Sequence, residues 1–172
     1  LYVGSYVDLS PSTAIPTVTY VDTDRRAARL FADEARVRDE LAGRRRAGAG
    51  VDVRFIAADF TEPLAVPDQS VDLLISLFTV PAWQHSRRYV REHGWLLANT
   101  SHGEASLAAL DPSLRLAAVV HQRGGRYRVT TDELTSYLVP QRPEAADADT
   151  IRRTGRGVAY TRSAFAYLFE QV

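Results

Sequence analysis

The stretch VTYVDTDRRAARLF, residues 18–31, joins the end of a strand to the start of a helix. Alternating β-branched and aromatic residues up to Asp22 predict a half-buried strand over residues 17–22. The following residues carry apolar side chains at helical spacing, which predicts one helix that Gly48 to Gly50 stop. Asp24 stands where the N-cap of that helix belongs. Asp22 ends the strand and has no such obvious structural role.

The segments on either side of this stretch repeat the same alternation of strand and connection. Further strands are predicted at residues 1–4, 51–57, 71–78 and 95–100. Residues 5–16 are a predicted loop with one helical turn, capped by Ser10 and opened by Pro11. PAWQHSRRYVREHG, residues 81–94, is a predicted helix closed by Gly94, and GEASLAAL is a short helix. This order predicts an open parallel sheet covered on both faces.

The C-terminal part follows a different pattern. LRLAAVVHQ and RYRVT flank RGG and predict a hairpin, residues 130–139 predict a capped helical piece, and residues 140–157 predict a mobile loop. The final strand is apolar on both faces and is therefore predicted to lie inside the sheet. We therefore expect one α/β domain over residues 1–172, a doubly wound, mostly parallel Rossmann-like sheet with an antiparallel C-terminal strand pair. The sequence starts on a strand and contains no Met, so we expect further residues before Leu1.

Composition excludes several classes of site. The chain has 172 residues, no Cys and a formal net charge of zero, which excludes disulfides, thiolate zinc sites and cysteine nucleophiles, and gives no overall attraction to nucleic acid. All basic side chains are arginine, so Schiff-base and phosphate-loop lysines are excluded. The four histidines show no metal-ligand spacing, and we predict no metal. With no leader and no apolar run near about 20 residues, a cytoplasmic protein is predicted.

Asp22 is the leading candidate for a ligand contact. Ligands of open α/β sheets bind at the carboxyl ends of the strands, where a carboxylate can accept hydrogen bonds from both hydroxyls of a ribose. Asp59 and Phe60, after the third strand, could hold the amino group of adenine and stack on its ring. The structural alternatives are a second acid at the helix start for Asp22, a turn acid for Asp59 and core packing for Phe60.

The segments LYVGS, VTYVDTD, AADF, VDLLISLF and REHGWLLANTSHGEA resemble, in order and rough spacing, the class I S-adenosylmethionine-dependent methyltransferases. The resemblance covers most of residues 1–105 and implies that S-adenosylmethionine is the cofactor. The cofactor-binding residues that it implies are Gly4, Ser5, Tyr6, Asp22, Thr23, Ala58, Asp59, Phe60, Ser76 and Leu77. The glycine loop departs from the family pattern because it has a single glycine, although Asp8 could act from that loop.

Three functions stay open at this stage: methyl transfer, a non-catalytic protein of the same fold that acts through self-association as a homodimer or through a partner, and a nicotinamide-dependent oxidoreductase. The last is weaker because no Gly-x-Gly-x-x-Gly follows the first strand. The segment after the fourth strand lacks the Asn-Pro-Pro-aromatic signature of methylases that act on planar amino groups, such as those of nucleic-acid bases. A small-molecule acceptor is therefore favoured over nucleic acid.

The sequence assigns no catalytic residue. The segment after the fifth strand gathers Asn99, His102 and Glu104, of which His102 is either a general base or a solvated loop residue. Basic runs at residues 43–48 and 151–157 could contact phosphates, but solvated arginines are the favoured interpretation.

Overall fold

The computed structural model describes residues 1–44 and 50–172, and the chain divides into two compact units, Leu1–Ala65 and Val66–Val172. The basic run predicted at residues 43–48 and the glycine stop predicted at residues 48–50 fall largely on residues 45–49, which lie outside the described residues.

The described residues of the first unit contain three parallel strands, and the strand of the quoted stretch is the middle one. They are β1 (Tyr2–Val3), β2 (Thr17–Asp22) and β3 (Asp52–Ala57). β2 pairs with both neighbours and has the predicted bounds. It is buried on both faces in its second half, with Tyr20 and Val21 fully covered. The alternating pattern therefore predicted both ends of β2 correctly, and Asp22 stands at the carboxyl end of that strand.

Two capping acids divide the helical segment after β2. α1 (Arg25–Ala32) begins after Asp24, whose side chain accepts a hydrogen bond from the Arg26 N–H at 2.6 Å, so the predicted N-cap is confirmed. The prediction of one continuous helix was wrong. Asp33 caps a second helix, α2 (Glu34–Ala42), by accepting from the Arg36 N–H at 3.0 Å, and so interrupts the first.

The loop before β2 contains the predicted single turn, a 3₁₀ helix over Ser10–Thr13. Its N-cap is Leu9, so the prediction of a Ser10 cap was wrong. The Ser10 N–H instead donates to Asp8 Oδ1 at 2.9 Å. The turn is anchored to β2 by a buried pair of hydroxyls, Ser12 Oγ and Tyr20 Oη, which lie 2.6 Å apart.

The second unit contains five strands in the order β4-β5-β8-β6-β7. They are β4 (Val71–Ser76), β5 (Val90–Ala98), β6 (Leu114–Arg123), β7 (Arg126–Thr130) and β8 (Ala166–Gln171). β4 and β5 are parallel, and β8 lies antiparallel between β5 and β6. The interior position of the last strand and the antiparallel C-terminal pair are confirmed, and with them the predicted fold class.

The helix predicted over residues 81–94 was wrong. The chain forms one helical turn, α3 (Trp83–Ser86), then a 3₁₀ turn (Arg87–Tyr89), and β5 already begins at Val90. The register between β4 and β5 shifts at this point, and His93 has a positive φ of 57°. Gly94 closes the resulting bulge, where a Cβ would lie 2.5 Å from Val90 Cγ1 and 2.8 Å from the Arg91 carbonyl oxygen.

The hairpin at the C-terminal end is confirmed, with a two-residue turn at Gly124 and Gly125, whose φ angles are 57° and 74°. The segment at residues 130–139 forms only a 3₁₀ turn, Leu134–Ser136, instead of the predicted helical piece. The prediction of a loop at residues 140–157 was also wrong. It contains a 3₁₀ turn, Pro143–Ala145, and the helix α5 (Ala148–Thr154), which is capped by Asp147. The predicted short helix is α4 (Glu104–Leu110).

Candidate functional site

The chain leaves β1 through a tight turn that contains two positive φ angles, 63° at Gly4 and 47° at Tyr6. Glycine adopts this conformation without steric cost, whereas a tyrosine in it is uncommon. The Gly4 N–H donates to the Val21 carbonyl at 2.9 Å, and the Ser5 N–H donates to the same oxygen at 3.4 Å. The turn is therefore held against the last residues of β2.

Asp22 makes a second link between this turn and β2. Its Oδ2 accepts a hydrogen bond from the Tyr6 N–H at 2.7 Å, and its Oδ1 accepts from the Asp24 N–H at 2.8 Å. The side chain is half-buried, so the two backbone donors fix the orientation of the carboxylate. Each carboxylate oxygen has two lone pairs, which leaves acceptor capacity on both oxygens for a ligand.

Ser5 and Tyr6 differ sharply in exposure. Ser5 is 1% exposed, and its Oγ has no hydrogen-bond partner among residues 1–44 and 50–172. Tyr6 is 41% exposed, and its hydroxyl accepts a hydrogen bond from Arg26 Nη1 at 3.1 Å while the Arg26 guanidinium lies 5.8 Å from the ring centroid. The Ser5 hydroxyl is unusual, because most buried hydroxyl groups are hydrogen-bonded.

The segment after β3 carries the second group of predicted residues. Asp59 is exposed, and its Oδ1 accepts hydrogen bonds from the Thr61 N–H at 2.9 Å and the Thr61 hydroxyl at 2.8 Å. Ala58 is half-buried, and Phe60 is 8% exposed. Asp59 therefore shapes a turn, and Phe60 packs against the core. Roles for both in ligand binding stay predictions.

Asp8, named above as a possible ligand acid, has other partners in the structure. It accepts hydrogen bonds from the Tyr2 hydroxyl at 3.2 Å and from the Ser10 N–H at 2.9 Å. Burial raises the pKa of the Tyr2 hydroxyl, and the Asp8 charge raises it further, so Tyr2 stays a donor. Thr23, the remaining predicted residue of this unit, is exposed beside Asp22.

In the second unit, Ser76 ends β4 and contacts a residue that the sequence did not connect with it. Ser76 and Glu104 are each 1% exposed, and the Ser76 hydroxyl donates to Glu104 Oε2 at 3.0 Å. The Ala82 N–H donates to the same oxygen, and the Trp83 N–H donates to Oε1 at 3.2 Å. Glu104 thus takes the place of a side-chain cap at the start of α3.

The ionisation of Glu104 reflects two opposing effects. Burial raises its pKa above the ordinary value, and the hydrogen bonds from Ala82, Trp83 and Ser76 lower it. Burial is the larger effect, so the net direction is upward. Glu104 is the one acid among the small and apolar residues of the helix sequence GEASLAAL. This pattern could have predicted from the sequence that its side chain is buried.

Asn99 holds the beginning of the segment that follows β4. Its Oδ1 accepts hydrogen bonds from the Phe78 N–H at 3.4 Å and the Ser101 N–H at 3.2 Å. Leu77, the last predicted cofactor residue, is half-buried just before Phe78. His102 is exposed and has a positive φ of 53°. Asn99 and Glu104 therefore both serve the segment after β4, whereas a role of His102 as a base stays a prediction.

Two further features bear on the kind of site. In the part of the chain that the structure describes, no three His, Asp or Glu side chains are grouped closely enough to hold a metal ion. Among these same residues, no helix has both the length and the apolar character needed to cross a bilayer.

The chain matches no protein-family model and no curated protein. It is similar to a SAM-dependent methyltransferase from Methanosarcina mazei, at 14% identity over 99% of this chain and 91% of that chain, with a TM-score of 0.52. It is also similar to TrmN from Thermus thermophilus, at 17% identity over 99% of this chain and 43% of that chain, with a TM-score of 0.52. A third similar structure is the [4+2]-cyclase SpnF, at 19% identity over 57% of this chain, with a TM-score of 0.44.

The likeness to the Methanosarcina structure shows the fold: the chain has the fold of the class I SAM-dependent methyltransferases. The chain spans only 37% of the length of SpnF and 43% of that of TrmN, which is less than two-thirds of either.

Proposed function

We propose that the chain binds S-adenosylmethionine through its first unit and transfers the methyl group to a small-molecule acceptor. The observation that carries this proposal is the carboxylate of Asp22, which stands at the end of β2 and is oriented by the N–H groups of Tyr6 and Asp24. In an open α/β sheet this is a ligand-binding position, and two carboxylate oxygens match two vicinal hydroxyls.

The residues around Asp22 suit an adenosyl ligand. Asp22 would accept hydrogen bonds from the ribose hydroxyls, and the buried Ser5 hydroxyl, which lacks a partner in the described residues, would gain one. The backbone of Gly4, the ring of Tyr6, and Thr23, Ala58, Asp59 and Phe60 are proposed to complete this part of the site. When bound, the cofactor supplies an electrophilic methyl group on a sulfonium. Ser76 and Leu77, in the second unit, stay proposed cofactor residues on the resemblance alone.

The chain contributes positioning more than proton transfer in this proposal. Methyl transfer to a good nucleophile needs the acceptor held in line, and a base is required only when the acceptor must lose a proton. We therefore assign no general base, and Glu104 is not a candidate because its oxygens accept three hydrogen bonds from the protein.

A non-catalytic role is the second candidate, and a specific observation favours it. Both oxygens of Asp22 already accept backbone hydrogen bonds, as expected of an acid that stabilises a turn. The turn after β1 also has a single glycine. In this case the protein would act through self-association, as a homodimer, or through a partner.

A binding experiment with a matched control separates the two candidates. The protein, Asp22→Asn and Asp33→Asn would be titrated with S-adenosylmethionine, S-adenosylhomocysteine and NAD, by thermal shift and calorimetry. Asp33 is a suitable control because it caps a helix, as Asp22 would in the structural alternative. A ligand at a hundred times its Kd stabilises the fold by about 2.7 kcal/mol.

We expect both adenosyl ligands to stabilise the wild-type protein and Asp33→Asn, and NAD to stabilise neither. In Asp22→Asn, most of the stabilisation by the adenosyl ligands should be lost. Folding of each variant would be checked by circular dichroism. No stabilisation of the folded wild type by either adenosyl ligand would favour the non-catalytic role.

Ser5→Ala gives a second test that does not depend on the Asp22 turn. Removing a buried hydroxyl without a partner should raise the thermal stability of the unliganded protein. If that hydroxyl meets the cofactor, the same substitution weakens S-adenosylhomocysteine binding. A stabilised variant with unchanged affinity would remove Ser5 from the proposed site.

A further inference from the structure

Three aromatic rings from distant parts of the second unit form a contiguous row, here called the aromatic ledge: Phe78, Phe165 and Tyr127. The centroids of Phe78 and Phe165 lie 6.1 Å apart, and those of Tyr127 and Phe165 lie 5.6 Å apart in an edge-to-face arrangement. Phe78 and Tyr127 are each 64% exposed. The two exposed rings share one half-buried partner, Phe165, and together the three rings form an apolar surface patch, a feature that often marks a binding site.

The strand register places the ledge at the carboxyl ends of β4 and β5. Ser76, the last residue of β4, pairs with Ala98 at the end of β5, and Ala98 pairs with Tyr167 near the start of β8. Phe165 directly precedes β8, and Phe78 follows Ser76 by two residues. This edge is where the ligands of open α/β sheets bind.

The backbone of Phe78 is held in a conformation that its side chain does not favour. Its φ is 58°, a left-handed value that is an outlier for a bulky residue, and its N–H donates to Asn99 Oδ1 at 3.4 Å. Strained backbone that presents an exposed apolar ring cannot be explained by core packing. Such strain is often found at ligand-binding positions.

The face of the β6–β7 hairpin that carries Tyr127 is uncharged. On β7, Tyr127 and Val129 share one face of the sheet, and their partners on β6 are Gln122 and Val120. The arginines of this hairpin, Arg123, Arg126 and Arg128, lie on the opposite face. The ledge therefore favours a neutral ligand, and the basic face is separate from it.

The size of the ledge suits a small ligand. An aromatic side chain buries roughly 150–250 Å² in full, so the exposed fractions of Phe78 and Tyr127 together offer about 250 Å². A stable protein partner covers about 800 Å² on each side. One planar ring system is therefore the occupant that the exposed area fits.

We propose that the aromatic ledge binds the planar, neutral part of the methyl acceptor, by stacking against Phe78 and by edge contacts with Tyr127 and Phe165. This inference rests on the proposed methyl transfer and narrows its acceptor class from small molecules in general to compounds with a flat, uncharged ring system.

Fluorine NMR of the protein labelled with 4-fluorophenylalanine tests the proposal directly, because the chain has six phenylalanines. The resonances of Phe78 and Phe165 would be assigned from their loss in Phe78→Leu and Phe165→Leu. The probes would be 2-naphthol, which is planar and neutral, and trans-2-decalol, its saturated analogue of similar size.

We expect 2-naphthol to shift the Phe78 and Phe165 resonances at a concentration at least about tenfold below that needed for decalol, because stacking requires a flat partner. The resonances of Phe31 and Phe55, in the first unit, should not move. Tyr127→Ala should weaken the response several-fold, whereas Leu110→Ala, which removes another exposed apolar side chain, should not.

Equal responses to the two probes, or no response at the two ledge resonances, would overturn the proposal. A uridine oligonucleotide that shifts the same resonances at lower concentration than 2-naphthol would also overturn it, in favour of a nucleic-acid partner. S-adenosylhomocysteine binding is measured separately in the first unit. If that ligand binds and naphthol does not, the ledge proposal alone fails, and if that ligand does not bind, methyl transfer fails whatever the ledge does.

Discussion

Replacing Glu104 should reveal how strongly one buried carboxylate holds the segment after β4. Glu104 accepts hydrogen bonds from the Ser76 hydroxyl and from the N–H groups of Ala82 and Trp83. Glu104→Ala leaves these donors buried without an acceptor, and each unsatisfied buried donor costs about 1–3 kcal/mol. Glu104→Gln keeps the shape but offers one acceptor oxygen, so one N–H faces an NH₂ group, and we expect a cost of about 1–3 kcal/mol.

The pH dependence gives the sharper test, because it asks whether burial or the three donors dominate. Burial raises the pKa of folded Glu104 above its ordinary value of 4.5. Between 4.5 and the raised value, the folded protein binds more protons than the unfolded chain. The free energy of unfolding that Glu104 contributes is therefore greatest at low pH and falls as pH rises, by at most about 1.4 kcal/mol per pH unit.

The assay is urea denaturation of wild type and Glu104→Gln at a series of pH values from about 4.5 to 8. The difference between the two isolates Glu104 from the other titrating groups, because glutamine does not ionise. We expect the stability advantage of the wild type to narrow as pH rises. An advantage that widens with pH would show that the donors outweigh burial, and a constant one would show that the pKa of Glu104 does not change on folding. Either result refutes the reasoning.

Two further substitutions test the local structure. Gly94→Ala should destabilise the protein by about 1–3 kcal/mol, because the new methyl group would overlap Val90 in the bulge of β5. Gly43→Ala is its control, because none of the residues that the structure describes lies within 4 Å of the added atom and the φ of Gly43 is −79°, and urea denaturation should show no loss. Asp24→Ala should cost about 1 kcal/mol, since the Arg26 N–H loses its cap, and thermal unfolding should show it. Equal stability of Gly94→Ala and Gly43→Ala would contradict the bulge geometry.

Local patterns predicted the parts of the fold in which neighbouring residues decide the outcome. β2 has its predicted ends because alternating β-branched residues stop at Asp22, and Asp24 caps α1 because the cap bonds to a residue only two positions away. The hairpin turn follows from Gly124 and Gly125, since positive φ at both positions needs no distant contact. These features required no knowledge of the rest of the chain.

The failures arose where distant contacts override local preference. Residues 87–94 have a polar, helix-like composition, but pairing with β4 extends β5 back to Val90, and the bulge absorbs the mismatch in register. The predicted loop at residues 140–157 forms α5 because Ile151 packs in a small core with Val158 and Tyr160. One large apolar side chain, Ile151, in a charged segment gave too weak a pattern to predict that core.

The candidate site shows the same division. The order of strands and acids in the sequence predicted Asp22 at the end of β2, but its two backbone donors come from Tyr6 and Asp24, and the Tyr6 contact depends on how the turn after β1 folds. The contact of Glu104 with Ser76 joins residues 28 positions apart, and no spacing rule relates them.

These contacts indicate which substitutions in the second unit should change ligand binding alone and which should also change stability. Asn99 holds the Phe78 N–H and Glu104 holds the N–H groups of Ala82 and Trp83, so the segment after β4 is fixed at both ends by side chains from beyond β5. The side chains of Phe78 and Val80 in this segment are exposed. Substitution of an anchor should therefore change stability and ligand binding together, whereas substitution of an exposed ring should change binding alone.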